Sequence, residues 1–113
     1  MEYDLNERTA IFAENIIELC KKFPKNCISL PLINQIIRSG TSVGANYCEA
    51  NGASSKKDFR MKILFCKKEI LETKYWLRML IKADDKLVND CKNLWKEAHE
   101  LTLIFSKIAY NTK

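Results

Sequence analysis

Apolar residues recur every three or four positions through four long stretches of this chain, the spacing that places them on one side of a helix. In the first stretch Leu5, Thr9, Phe12, Ile16, Leu19 and Phe23 alternate steps of four and three, a coiled-coil-like seam. Asp4, with Glu7 three residues on, is placed to cap this helix, and Lys21, Lys22 and Pro24 close it near Phe23. For the second helix Ser29 is the expected cap, Pro31 falls in the first turn, and Ile33, Ile36, Ile37, Gly40, Val43, Gly44 and Tyr47 share a face. Ser54 to Ala83 predicts the longest helix, capped by Ser54 or Ser55, with Phe59, Ile63, Cys66, Ile70, Thr73, Leu77 and Ile81 along its core side. Beyond Ala83-Asp84-Asp85, a fourth helix carries Leu87, Cys91, Leu94, Ala98, Leu101, Phe105 and Ile108, with Trp95 and Ile104 widening the face and Tyr110 to Lys113 expected to fray. Four amphipathic helices with short connections predict an all-α fold: an antiparallel up-down-up-down four-helix bundle, one domain over residues 1–113.

The second helix contradicts its own propensity. Ser39-Gly40-Thr41-Ser42-Val43-Gly44-Ala45 is poor in helix formers, and each interior Gly costs about 1 kcal/mol relative to Ala. Small residues at three- and four-residue spacing let another helix approach closely, so tight interhelical packing is the expected compensation. A phosphate-binding loop is excluded by pattern, since neither G-x-x-x-x-G-K-[ST] nor G-x-G-x-x-G occurs and no strand precedes the run. On the other side of this helix Arg38, Ser42, Ala45 and Glu49 form a line with Asn46 beside it. Arg38 and Glu49 stand about 16 Å apart along the axis, so each needs a partner elsewhere. A polar network that fixes helix or subunit register is one reading of Arg38, Ser42, Asn46 and Glu49; a ligand or backbone contact site is the other.

The long third helix has two further faces. Lys56, Arg60, Lys67, Lys74 and Arg78 fall within about 40° of one another, a row about 33 Å long, either a phosphate-binding stripe or a solvated face. Beyond the row, Met61, Leu64, Leu71, Tyr75 and Met79 make a second apolar strip that one four-helix core does not readily bury as well, so an oligomer interface is expected there. Tyr75-Trp76 offers aromatics for base stacking, although both sit at helical spacing from apolar neighbours, as core or interface residues do.

Composition changes this picture only in places. The 113 residues suffice for one domain, and 47% hydrophobic with 29% charged residues suits a packed helical one. A net charge of +5 leans toward a polyanionic partner. The opening Met1-Glu2-Tyr3-Asp4 is acidic and precedes no uncharged apolar run, so no secretory leader is expected; nor does any stretch approach the roughly 18 apolar residues of a membrane span. A cytoplasmic protein without membrane contact is the expectation. Cysteines 20, 27, 48, 66 and 91 form no C-x-x-C pair; four stand beside apolar neighbours as small hydrophobes do, while Cys27 sits in a loop open to oxidation. His99 is the only histidine and has no metal-spaced companion, and Glu69 and Glu72 have lysines such as Lys68 at helical spacing, as solvated ion pairs do. No enzyme activity, metal or cofactor is expected.

Three blocks carry a family resemblance: Arg38-x-x-x-Ser42-Val43-Gly44-Ala45-Asn46-x-x-Glu49-Ala50, Ser55-Lys56-Lys57-Asp58-Phe59, and Lys68-Glu69-x-x-Glu72-Thr73-x-Tyr75-Trp76-Leu77. With the closing Glu97-Ala98 and Leu101-x-x-Ile104-Phe105-x-x-Ile108, they closely resemble the four-helix-bundle family associated with intervening sequences in bacterial 23S rRNA genes. Lys68-Glu69 stands where many relatives have Gly-Ser, and Tyr47, Cys48 and Ala50 depart from the usual Ala-Asn-Ile-Ala-Glu-Gly. The resemblance implies a small bacterial protein assembled as a ring-shaped homopentamer. It also implies likeness to the accessory proteins of diversity-generating retroelements, basic partners of a reverse transcriptase. Two function classes follow: an oligomeric RNA- or DNA-binding accessory protein, or a structural bundle that binds proteins, such as a reverse transcriptase, and no nucleic acid itself.

Overall fold

The first three helices begin where a side chain satisfies orphan N–H groups, and the fourth follows a turn that Asp84 caps by accepting from the Lys86 N–H at 3.1 Å. In the computed structural model, which describes residues 4–113, α1 spans Leu5–Lys22, α2 Ser29–Asn51, α3 Lys56–Ala83 and α4 Val88–Asn111, with a single 3₁₀ turn at Asp85–Leu87. The acidic opening Met1-Glu2-Tyr3 lies outside the described residues. Asp4 accepts from the Glu7 N–H at 3.1 Å and Ser55 from the Asp58 N–H at 3.0 Å, so of the two serines before α3 the second is the cap. The start of α2 differs from expectation. Asn26 caps it, its side-chain oxygen accepting from the N–H groups of both Ile28 and Ser29 at 2.9 Å. Ser29 is instead buried in the first turn, its hydroxyl donating to the Pro24 carbonyl and accepting from the Asn26 N–H. The C-terminus also differs: α4 continues through Tyr110 to Asn111, and the Thr112 hydroxyl donates to the Ile108 carbonyl at 2.9 Å.

At 28 residues α3 is the longest helix, and about 1.5 Å per residue makes it nearly as long as the molecule's 44 Å long axis. Its seam, Ile63, Cys66, Ile70, Thr73 and Leu77, is fully buried, joined by Leu80. The core continues through Phe12 and Ile16 of α1, Ile36 and Val43 of α2, and Ala98, Leu101 and Phe105 of α4, giving a four-helix bundle with no strand among the described residues. No helix is long and apolar enough to cross a membrane.

The small-residue run of α2 meets α1 as the sequence predicts. A Cβ on Gly44 would lie 3.0 Å from the Thr9 hydroxyl oxygen and 3.3 Å from its Cβ, and one on Gly40 3.2 Å from Ile16. On its other flank α2 packs on α3, where the buried hydroxyls of Ser39 and Thr73 meet at 2.9 Å. The α1/α4 seam is the thinnest. Arg8 grips Glu97 through two bonds of 2.7 and 2.8 Å and Glu100 at 2.8 Å, and Lys22 meets Asp90 at 3.0 Å. Donating hydrogen bonds to the Glu97 carboxylate holds the Arg8 guanidinium above its ordinary pKa despite partial desolvation.

Cysteine usage divides differently from the expectation. Cys20, Cys66 and Cys91 are buried, but Cys48 is exposed along with Cys27, because position 48 faces outward from α2 near Asn6 rather than into the core.

Candidate nucleic-acid interface

Arg60 and Lys74 of α3 reach α4, and helical spacing puts Lys56, Lys67 and Arg78 within about 40° of them on the same side. Arg60 Nε donates to the Ala109 carbonyl at 3.0 Å, where a cation complements the C-terminal dipole of α4. Lys74 Nζ lies 3.1 Å from His99 Nδ1 and 4.4 Å from the centre of the Trp95 ring. Lys56 and Arg60 share a shallow groove with Lys57 and Lys113 at one end of the molecule. At the other, Arg78 shares one with Lys92, Trp95 and Lys96. Lys67 stands half-exposed between them.

No ion pair among the described residues includes any of these five cations. The reason lies in where the acids point. Asp90, Glu97 and Glu100 of α4 turn to Lys22 and Arg8 of α1, and Glu69 and Glu72 of α3 turn to Arg38 of α2. The side of α3 that faces α4 therefore keeps its cations unpaired, with Asp84 and Asp85 sharing a groove with Arg78 at one end, while the other carboxylates neutralise the opposite flanks. Phosphates are attracted to such a surface, because a field that counter-charges do not cancel sums along the row.

The polar line of α2 does not form one network. Arg38 reaches Glu72 at 3.2 Å and Glu69 at 3.9 Å, while Glu49 pairs separately with Lys62 at 2.8 Å. The Ser42 hydroxyl donates to the Arg38 carbonyl at 2.6 Å and Asn46 Nδ2 to the Ser42 carbonyl at 2.9 Å, so both side chains bond within their own helix. Glu69 and Glu72 are thus partners of Arg38 across the α2/α3 seam, not solvated companions of Lys68. Glu69 is only 15% exposed, and one of its oxygens is buried without a hydrogen bond.

The apolar strip divides. Met61, Leu71 and Tyr75 are 45%, 45% and 54% exposed, whereas Leu64 and Met79 are half-buried, Leu64 against the core. Phe65, which helical spacing did not single out, is exposed beside them. Tyr75 packs edge-on to Trp76, whose ring lies against the core.

Trp95 is the largest departure. It does not widen the core face of α4 but stands 40% exposed, stacked on His99 with centroids 5.2 Å apart and an interplanar angle of 6°. His99 is exposed as expected, though engaged with Trp95 and Lys74 rather than simply solvated. The sequence did carry a signal for the contribution of α4. On a helical wheel Lys92, Lys96 and His99 fall within about 60° of one another, and Asp90, Glu97 and Glu100 within about 80° on the other side.

The sequence profile of the 23S rRNA-intervening sequence protein family matches residues 1–107. Among solved structures, a protein of unknown function from the S23 ribosomal protein family of Bacteroides thetaiotaomicron is similar with a TM-score of 0.83 at 30% identity, over 93% of this chain and 97% of that one. No curated protein matches. A profile that takes in all four helices, together with a solved relative of the same fold over nearly its whole length, means that the chain belongs to the 23S rRNA-intervening sequence protein family.

Proposed function

We propose that this protein is a non-enzymatic, oligomeric nucleic-acid-binding accessory protein that holds RNA or DNA by its phosphates along the groove between α3 and α4. One observation carries the reading: Lys56, Arg60, Lys67, Lys74 and Arg78 share one side of α3 with no ion pair to any of them among the described residues, while Asp90, Glu97 and Glu100 pair with α1 and Glu69 and Glu72 with α2. Phosphate contacts of this kind position a strand without reading base edges.

The finer architecture belongs to the same proposal. The bundle runs up-down-up-down, a reading supported by contacts of the start of α3 with the ends of both its neighbours, Lys62 with Glu49 of α2 and Arg60 with Ala109 of α4. The protein is cytoplasmic and assembles as a ring, a homopentamer by family resemblance, through Met61, Leu71 and Tyr75. Their exposure also favours a second reading, in which that strip docks a protein such as a reverse transcriptase and the cations are only a solvated face.

Salt dependence separates the two. Each neutralised phosphate contributes a slope of about −0.9 on duplex DNA, or about −0.7 on a single strand, to log affinity against log salt. Lys67→Glu combined with Lys74→Glu is expected to weaken binding to all sequences and to flatten this slope, with helicity and oligomer size unchanged. Unaltered affinity and slope in that variant would reject the proposal.

A further inference from the structure

We propose that Trp95 is a stacking platform for one unpaired base of a single-stranded nucleic acid, with Arg78, Lys92 and Lys96 holding the phosphates on either side of it. The inference rests on the phosphate-binding reading of the α3/α4 groove and adds to it the kind of strand that binds.

The site is a groove of about 410 Å³ walled by the indole, with Ile81 of α3 and three cations around it. That volume falls in the range of small-ligand clefts. The ring is held in place before any ligand arrives. His99 stacks on it, and Lys74 Nζ, 4.4 Å from its centre, adds a cation–π contact from the facing helix. Fixing the ring in advance lowers the ordering cost of binding. None of the three rim cations is in an ion pair among the described residues.

A flat aromatic wall beside apolar carbon and surrounded by cations matches a ligand with a π-face and a phosphate on either side. An acidic peptide would use the cations and leave the indole without a partner. A duplex would offer its phosphates but keep its bases stacked inside. Single strands bind by this combination of basic groove and aromatic platform, and every base has a π-face, so little sequence preference is expected.

The test compares a 12-nucleotide oligo(U), an abasic strand of the same length and charge, and a duplex, each titrated against the full-length protein at three salt concentrations. Wild type is expected to bind oligo(U) at least fivefold more tightly than the abasic strand. Trp95→Ala should weaken oligo(U) binding roughly five- to a hundredfold, in line with the alanine-scan worth of one stacked base, without changing the salt slope or duplex affinity. Trp95→Phe should restore most of the loss. Equal wild-type affinity for oligo(U) and the abasic strand, with a steep salt slope for both, overturns the stacking platform and leaves phosphate binding intact. Absence of salt-dependent binding to all three overturns both. The wild-type comparison decides the matter even if Trp95→Ala does not fold.

Discussion

Burial sets the chemistry of three thiols. Removal from water raises Cys20 and Cys91 to about 11 and Cys66 to about 12, against an ordinary value of 9.0, because the buried thiolate lacks solvation. For Cys20 the positive charge of Lys25 opposes the rise, and for Cys91 the negative charge of Asp90 adds to it. In the unfolded chain the same thiols lose their protons near pH 9, so between about pH 9 and 11 the unfolded state releases protons that the folded state keeps. Their contribution to stability is therefore complete below pH 9 and lost as pH rises, at about 1.4 kcal/mol per pH unit for each thiol. Urea midpoints measured from pH 8 to 11 should fall along this window, and Cys66→Ala should make the decline shallower. An unchanged decline in that variant would place the alkaline sensitivity elsewhere. Cys27 and Cys48, both exposed, are the thiols expected to react with a water-soluble disulfide reagent in the folded protein.

Between elements, the closest approach is that of α2 to α1, where Gly44 meets the Thr9 side chain and Gly40 meets Ile16. Gly44→Ala gains about 1 kcal/mol of helix propensity but forces a methyl to 3.0 Å from a hydroxyl oxygen that bonds the Leu5 carbonyl at 2.6 Å, an overpacking that costs about 1–3 kcal/mol. A net loss of about 1 kcal/mol is expected by chemical denaturation. Thr9→Ala removes the hydroxyl oxygen at 3.0 Å but keeps the Cβ at 3.3 Å, so in that background the same substitution should cost less. An equal loss in both backgrounds would show that the Thr9 hydroxyl is not what requires glycine at 44. This packing was legible in the sequence, because small residues at helical spacing cost a helix stability and return it only where a second helix comes close. The seams of α1 and α3 were legible too, since periodicity belongs to a single helix. What depends on a neighbouring helix was not. Asn26 and Ser29 are both good caps, and only the burial of Ser29 against the Pro24 carbonyl leaves the role to Asn26. Arg38 and Glu69 stand 31 positions apart, and their pairing follows from the α2/α3 register. The basic row could be drawn from α3 alone. Trp95, Lys92 and Lys96 joined it only once the side of α4 that faces α3 was known.

At the scale of the whole molecule, charge and apolar surface lie side by side on α3, an arrangement that under the proposed function would link assembly to binding. The row from Lys56 to Arg78 and the exposed Met61, Leu71 and Tyr75 are separated by a fraction of a helical turn, so copies joined through the strip would bring their basic rows close together. A strand touching two such rows binds the second at the high effective concentration set by the first, and overall affinity exceeds that of one protomer by a factor of about 10² or more. Leu71→Glu places a charge in the middle of the strip without touching the core, since Leu71 is 45% exposed. Helix content should therefore be unchanged. Sedimentation is expected to show an oligomer for the wild type and a monomer for this variant. Nucleic-acid affinity should fall far more for a strand long enough to span two protomers than for one that covers a single row, because only the longer strand loses its second attachment. A wild type that sediments as a monomer would remove the strip as a self-association surface and favour a different protein as its occupant. An oligomer undisturbed by Leu71→Glu would place the interface elsewhere. If the variant is monomeric yet both strand lengths lose affinity equally, assembly and binding are linked by something other than the joining of adjacent basic rows.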